Sequence, residues 1–178
     1  TPPELSVLNP DSGSAINYKK VHFRNSELLQ NAQMIWTRTS GVEDLLSPHI
    51  VDLENDELLG KEIGPVSLYN EPNLNDGTEY SLRFVGLDPA GNVSDTVIIK
   101  NILYDVTPPL LSISSPESDI YTAKSEMLFD VNENIYNFEI TWIGKSLSGE
   151  IDEKIYSHSD VLLAGSYNSD DLFNPGLL

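Results

Sequence analysis

The residues in this chain that could do chemistry are its carboxylates, three histidines and two tryptophans. There are 28 Asp and Glu against 10 Lys and Arg, a formal charge of -18. Such a surface suits calcium, which takes about six to eight oxygen ligands from carboxylates, carbonyls and water. No EF-hand loop pattern is present. His22, His49 and His158 fall in separate segments, outside any H-E-x-x-H or related pattern. All three read as ordinary surface residues, and His22, alternating against Val21 and Phe23, should face solvent. Serines are plentiful, yet there is no G-x-S-x-G elbow and no P-loop. Nothing places two carboxylates across a cleft for glycoside hydrolysis. The chain is therefore expected not to be an enzyme. Trp36 and Trp142 could stack on sugar rings, but each is in phase with an apolar neighbour, Met34 or Ile140, as a core tryptophan is. Asn92-Val93-Ser94 fits the glycosylation sequon but abuts a tight turn.

The elements that must position these residues are organised by an internal repeat. Thr1-Pro2-Pro3 recurs as Thr107-Pro108-Pro109, an offset of 106 that also maps Leu5 onto Leu111, Val7 onto Ile113 and Phe23 onto Phe129. Without a gap it continues to Glu27 and Glu133, Leu29 and Ile135, Met34 and Ile140, and Trp36 and Trp142. Tandem copies of one module follow, over 1–106 and 107–178. The second copy is shorter, and is expected to lack the last two strands of the first. It should then expose sheet edges and apolar surface, and be partly disordered or paired by strand addition.

The first copy predicts seven short strands: Glu4–Leu8, Tyr18–Arg24, Gln33–Thr39, His49–Leu53, Pro65–Tyr69, Tyr80–Leu87 and Val93–Tyr104. Seven strands in about 105 residues is the scale of an immunoglobulin-like β-sandwich. Asp88-Pro89-Ala90-Gly91-Asn92 supplies a turn, with Gly91 able to take positive φ. Leu74 to Tyr80 reads as a tyrosine corner, the Tyr80 hydroxyl bonding backbone a few residues upstream. The second copy offers Leu111–Ser114, Glu126–Val131, Phe138–Ile143 and Val161–Leu163.

Composition limits the partners. The acidic balance disfavours nucleic acid and anionic lipid, and no apolar run approaches the roughly 18 residues of a membrane span. The absence of cysteine removes disulfides, zinc–cysteine sites and thiol nucleophiles. In such a sandwich, the loop after the second strand and the loop between the last two strands share one end. Glu27 starts the first and Asp88 sits in the second. For the second copy, the linker would deliver Asp105 towards Glu133. Asp105, Glu133, Asp88 and Glu27 are thus the candidate calcium ligands, with calcium stiffening the junction. The alternative is that Asp88 caps its own turn and Glu27 is solvated.

The linker Tyr104-Asp105-Val106-Thr107-Pro108-Pro109, the Ser26-Glu27 pair, Trp36 to Gly41, Ser47-Pro48-His49 and Asp88 to Asn92 together resemble bacterial immunoglobulin-like (Big-type) repeats. Leu74 to Tyr80 is also similar to fibronectin type III modules, which keeps that label as an alternative. The resemblance implies an extracellular or cell-surface spacer or stalk, adhesion-related, whose partners are neighbouring repeats of the same parent chain. It also implies calcium at module linkers through aspartates, which here means Asp105 with Glu133, and Glu27 with Asp88. The second copy has no version of the Asp88 turn. The runner-up is a carbohydrate- or ligand-binding accessory module of a secreted polysaccharide-degrading enzyme, which needs aromatic residues on an exposed face.

Overall fold

The computed structural model describes residues 1–117, 126–145, 149 and 151–172. The chain is mostly β, with almost no helix, and divides into two compact units, Thr1–Thr107 and Pro108–Leu178.

Alternation builds the first unit. Strand β7 (Thr78–Leu87) buries Thr78, Tyr80, Leu82, Phe84 and Gly86, and the residues between are half-buried or exposed. β3 (Val21–Asn25) buries Val21, Phe23 and Asn25, and β4 (Asn31–Gly41) buries Ala32, Met34 and Trp36. With β1 (Leu5–Asn9), β2 (Ala15–Ile16), β5 (His49–Asp52), β6 (Glu62–Val66) and β8 (Val97–Tyr104), they form two sheets, ordered β1-β3-β6 and β2-β8-β7-β4-β5. Every pairing is antiparallel except β2 with β8. The inward faces share one core. Phe23 of the first sheet meets Phe84 of the second edge-on, with ring centroids 5.5 Å apart.

Two glycines permit the close turns. Gly91 takes φ +89° in the Asp88–Asn92 turn and donates its N–H to the Asp88 carbonyl at 3.0 Å. Gly41 takes φ +75° where β4 ends, and a Cβ there would lie 2.3 Å from the Gly77 carbonyl oxygen. The tyrosine corner is formed: the Asn75 N–H donates to the Tyr80 hydroxyl at 2.8 Å.

The strands depart from expectation in four places, the first being that the strand expected from Tyr18 begins at Val21. Ala15–Ile16 adds a short strand held by two parallel pairings to β8. The fifth expected strand lies earlier, at Glu62–Val66, because Ile63 must oppose Phe23 in the core. The last begins at Val97, and Val93 makes only an isolated bridge to Leu87. Between them Ser94 turns inward, its hydroxyl accepting the Gly86 N–H at 3.0 Å.

The second unit contains β9 (Leu111–Ser115), β10 (Leu128–Val131), β11 (Ile135–Lys145), β12 (Ile151–Leu162), β13 (Gly165–Asn168) and a short helix α1 (Ser169–Leu172). They form a sheet ordered β9-β10-β13 and a hairpin β11-β12. The first unit's pairs Leu5 with Asn25, Ser6 with Arg24 and Val7 with Phe23 recur as Leu111 with Val131, Ser112 with Asp130 and Ile113 with Phe129. Both partners in each pair shift by the same 106 positions. Of Val161–Leu163, expected as a short strand, Val161 and Leu162 end the 12-residue β12 and Leu163 lies beyond it; the partner β11 draws a polar-looking sequence into a long hairpin. Met127, Phe129, Val131, Ile135 and Leu162 form a small core, and Phe129 stacks on Tyr167 at 5.7 Å.

Candidate functional site

A cluster of side-chain hydrogen bonds lies at the end of the first unit where its chain leaves the sheet. Asp44, in the loop after β4, is buried. Its Oδ2 accepts the Tyr80 hydroxyl at 2.6 Å and contacts His49 Nε2 at 2.6 Å, while Oδ1 accepts the Leu46 N–H at 3.0 Å. Burial alone would raise the Asp44 carboxyl, but the hydrogen bonds from Tyr80, His49 and Leu46 outweigh it and hold the group below its ordinary range. Burial pushes the Tyr80 hydroxyl up to about 12, with the Asp44 charge adding to the rise. His49 is therefore not the surface residue its sequence setting suggested: only 9% of its side chain is exposed. Its place in a strand opposite Trp36 turns it onto the Tyr80 ring.

One turn away, Asp76 grips the departing chain. Its Oδ1 accepts the Val106 N–H at 2.8 Å and its Oδ2 the Thr107 hydroxyl at 2.5 Å. The Gly77 N–H reaches the Tyr104 carbonyl at 2.8 Å. The bonds to its carboxyl, the Thr107 hydroxyl's first and the Val106 N–H's next, lower Asp76 below its usual value. Asp76→Ala should release the last residues of this unit. Amide exchange at Val106 would then speed by about tenfold or more, the loss expected for one charge-assisted hydrogen bond. In the unaltered chain the same amide should open only on acidification below the ordinary carboxylate range of about 3.9. A Val106 amide equally protected in both chains would contradict the clamp.

The four candidate calcium ligands are placed as follows. Asp88 is buried, and both its oxygens bind Asn92, one the backbone N–H and one the side-chain amide, each at 2.8 Å. Those bonds, the side-chain amide's first, lower its carboxyl. Asp88 thus caps its turn. Glu27 is half-buried in the loop between β3 and β4, and the Gln30 N–H donates to the Leu87 carbonyl at 2.7 Å, bringing that loop to the end of the Asp88 turn. Asp105 is half-buried just after β8, its Oδ1 accepting the Thr107 N–H at 3.1 Å. Glu133 is half-buried in the turn between β10 and β11 of the second unit. Among the described residues, no three His, Cys, Asp or Glu converge as a metal site. Within the first unit, each Asp88 oxygen already accepts one hydrogen bond from Asn92.

Sequence reasoning passed over Asp44 and Asp76. Asp76 stands in the Asn-Asp-Gly of the tyrosine corner, and Asp44 five residues before His49. Spacing of that kind is common in any acidic chain and only the fold shows what it joins. The sequon residue Asn92 has its side-chain nitrogen on Asp88 at 2.8 Å. His22 is half-buried beside Glu62 at 2.8 Å. Trp36 is fully buried and packs edge-on to Tyr80, which removes it as a sugar platform, and Trp142 is half-buried. The side chain of His158 lies outside the described residues. Among the described residues, no helix is long and apolar enough to cross a membrane.

No family model and no curated protein matches the chain. A solved structure, described as the crystal structure of a tetra-tandem repeat in the extending region of a large adhesion protein, is similar to it at 14% identity with a TM-score of 0.32. The likeness covers 94% of this chain and 39% of that one, so the chain spans well under two thirds of its length. A likeness of that degree decides neither fold nor function.

Proposed function

We propose that the chain is a non-catalytic structural spacer or stalk segment of a bacterial cell-surface or secreted repeat protein, adhesion-related and extracellular. Its modules would be immunoglobulin-like β-sandwiches, the first over 1–106 and the second, over 107–178, without the last two strands. Neighbouring repeats of the same parent chain are its partners. The observation that carries this reading is the repeated register, Val7 with Phe23 and Ile113 with Phe129. Repetition of one packing unit is how a chain gains length without gaining a site. The Asp76 clamp supports it too, since a stalk must transmit its direction through each module's last residues.

The test is to pull the chain between its ends. A spacer should yield one discrete event for the first unit, with a length gain of roughly 350 Å for 107 residues at about 3.3–3.6 Å each. Gradual extension without that event would count against it. Retardation in gels containing soluble polysaccharides would turn the reading towards a carbohydrate-binding module. Calcium belongs to the proposal as a stabiliser. Thermal unfolding at constant ionic strength should show a higher Tm in calcium than in magnesium or chelator, because a ligand of the folded state stabilises by mass action. Coincident curves would remove calcium and leave the plain spacer.

A further inference from the structure

We propose that the outer face of the sheet β2-β8-β7-β4-β5 is a self-association surface. On it a second copy of this chain packs the same face about a two-fold axis, with Arg83 of each copy meeting Asp52 of the other. The face is set by register. Ile50 of β5 pairs with Ile35 of β4, Ile35 with Arg83 of β7, and Arg83 with Ile98 of β8. One row across four strands therefore reads Ile50, Ile35, Arg83, Ile98. Its sequence neighbours Met34, Val51, Leu82 and Phe84 point into the core, so the row points outward. Ile50 is 57% exposed and Ile98 51%. The outward face of an antiparallel sheet is ordinarily polar, and three isoleucines in one line depart from that rule.

Charge selects what covers that row. The chain carries -18, which holds two copies apart over most of their surface. The outward positions of β4, β5, β7 and β8 carry Asp52, Glu79, Arg83 and Lys100, two acids and two bases. This face is neutral, and charge elsewhere reaches it through salt with a Debye length of about 8 Å. Arg83 is exposed and, among the described residues, makes no ion pair or side-chain hydrogen bond. An arginine set between isoleucines, with no carboxylate of its own, is the kind of residue on which interfaces concentrate binding energy.

The same face supplies the carboxylate. In the next row Asp52 pairs with Gln33, and Gln33 with Val85. Asp52 Oδ1 accepts the Gln33 side-chain N–H at 2.7 Å, and its Oδ2 makes no bond among the described residues. Asp52, Gln33, Asn31 and Val85 line an open groove of about 330 Å³, room for an incoming arginine side chain. Arg83 and Asp52 stand two strands and one pleat apart, roughly 12 Å. A two-fold axis lying in the contact plane and bisecting that separation sets Arg83 on Asp52 twice. Ile35 lies beside this axis and meets its own copy. An acidic partner of another kind would satisfy Arg83 but set a like charge against Asp52, whereas a second copy satisfies both. The inference goes beyond the spacer reading and does not depend on it, since pulling follows a single chain.

The test is sedimentation equilibrium of the full chain at physiological salt, from about 1 μM to 1 mM, the range of a weak to moderate contact. The average mass should climb from that of one chain towards that of two. Arg83→Asp should weaken the dimer by about a hundredfold, and so should Asp52→Arg, because each sets like charges face to face at two places. The chain carrying both substitutions should dimerise as the parent does, since the pairs re-form with their signs exchanged. Ile98→Lys, at the exposed end of the row, should weaken the dimer without touching either pair. A mass that stays at one chain up to about 1 mM would overturn the inference. So would a dimer that either single reversal leaves intact, or one that the double reversal does not restore.

Discussion

Trp36→Ala should destabilise the first unit by about 4 kcal/mol, whereas Trp142→Ala should cost the second about 1 kcal/mol. The two residues occupy the same repeat position. Trp36 is fully enclosed, in edge contact with Tyr80 at 6.4 Å between ring centroids, and its removal leaves a cavity that the surrounding sheets cannot close. Trp142 is half-buried against an open groove, so its removal widens a space that water already reaches. Amide exchange measured separately at β7 and at β10 reads the two units independently. Trp36→Phe should fall well short of the alanine cost. The Trp36 indole N–H is buried without a hydrogen-bond partner among the described residues, so phenylalanine gives up volume but no hydrogen bond. Equal losses at the two tryptophans would mean that their surroundings do not differ as described.

Period-two patterns made much of the fold legible. Val21 and Phe23 declare their inward face across His22, and Tyr80, Leu82 and Phe84 across Ser81 and Arg83, whereas Met34 and Trp36, with Ile35 between them, are set off by Gln33 and Thr37 on either side. The Asp88 turn and the tyrosine corner were legible because each depends on a short local pattern with one geometric solution. Ala15–Ile16 was not, since two residues carry no period and their pairing to β8 is decided entirely by tertiary contact. β12 was not, because Ile151 to Leu162 reads as polar until β11 is set beside it.

The candidate site was harder to foresee for a related reason. Asp88 could be chosen from its turn, yet the same turn consumes both its oxygens. Asp44 and His49, which the fold brings within 2.6 Å, sit on either side of an irregular loop whose path no periodicity describes.

Asp44→Ala should cost the first unit about 3 kcal/mol at neutral pH, the scale of losing a buried, charge-assisted hydrogen-bond centre. The change leaves the Tyr80 hydroxyl and His49 without their shared acceptor, and it frees the Leu46 amide. Asp44→Asn should cost less, because the amide oxygen can still accept from Tyr80. The pH dependence follows from the direction of each shift. The Asp44 carboxyl is lowered on folding, so its contribution is complete above the unfolded value of about 3.9 and is lost as pH falls through the folded one. The Tyr80 hydroxyl is raised from 10.0 to about 12, so its contribution is complete below about 10 and is lost as pH climbs towards 12. Unfolding free energies for the parent chain and Asp44→Asn should therefore run apart near neutrality and converge below about pH 4. Curves that stay parallel through that acid range would show that Asp44 is not held as the charged centre of the Tyr80–His49 cluster.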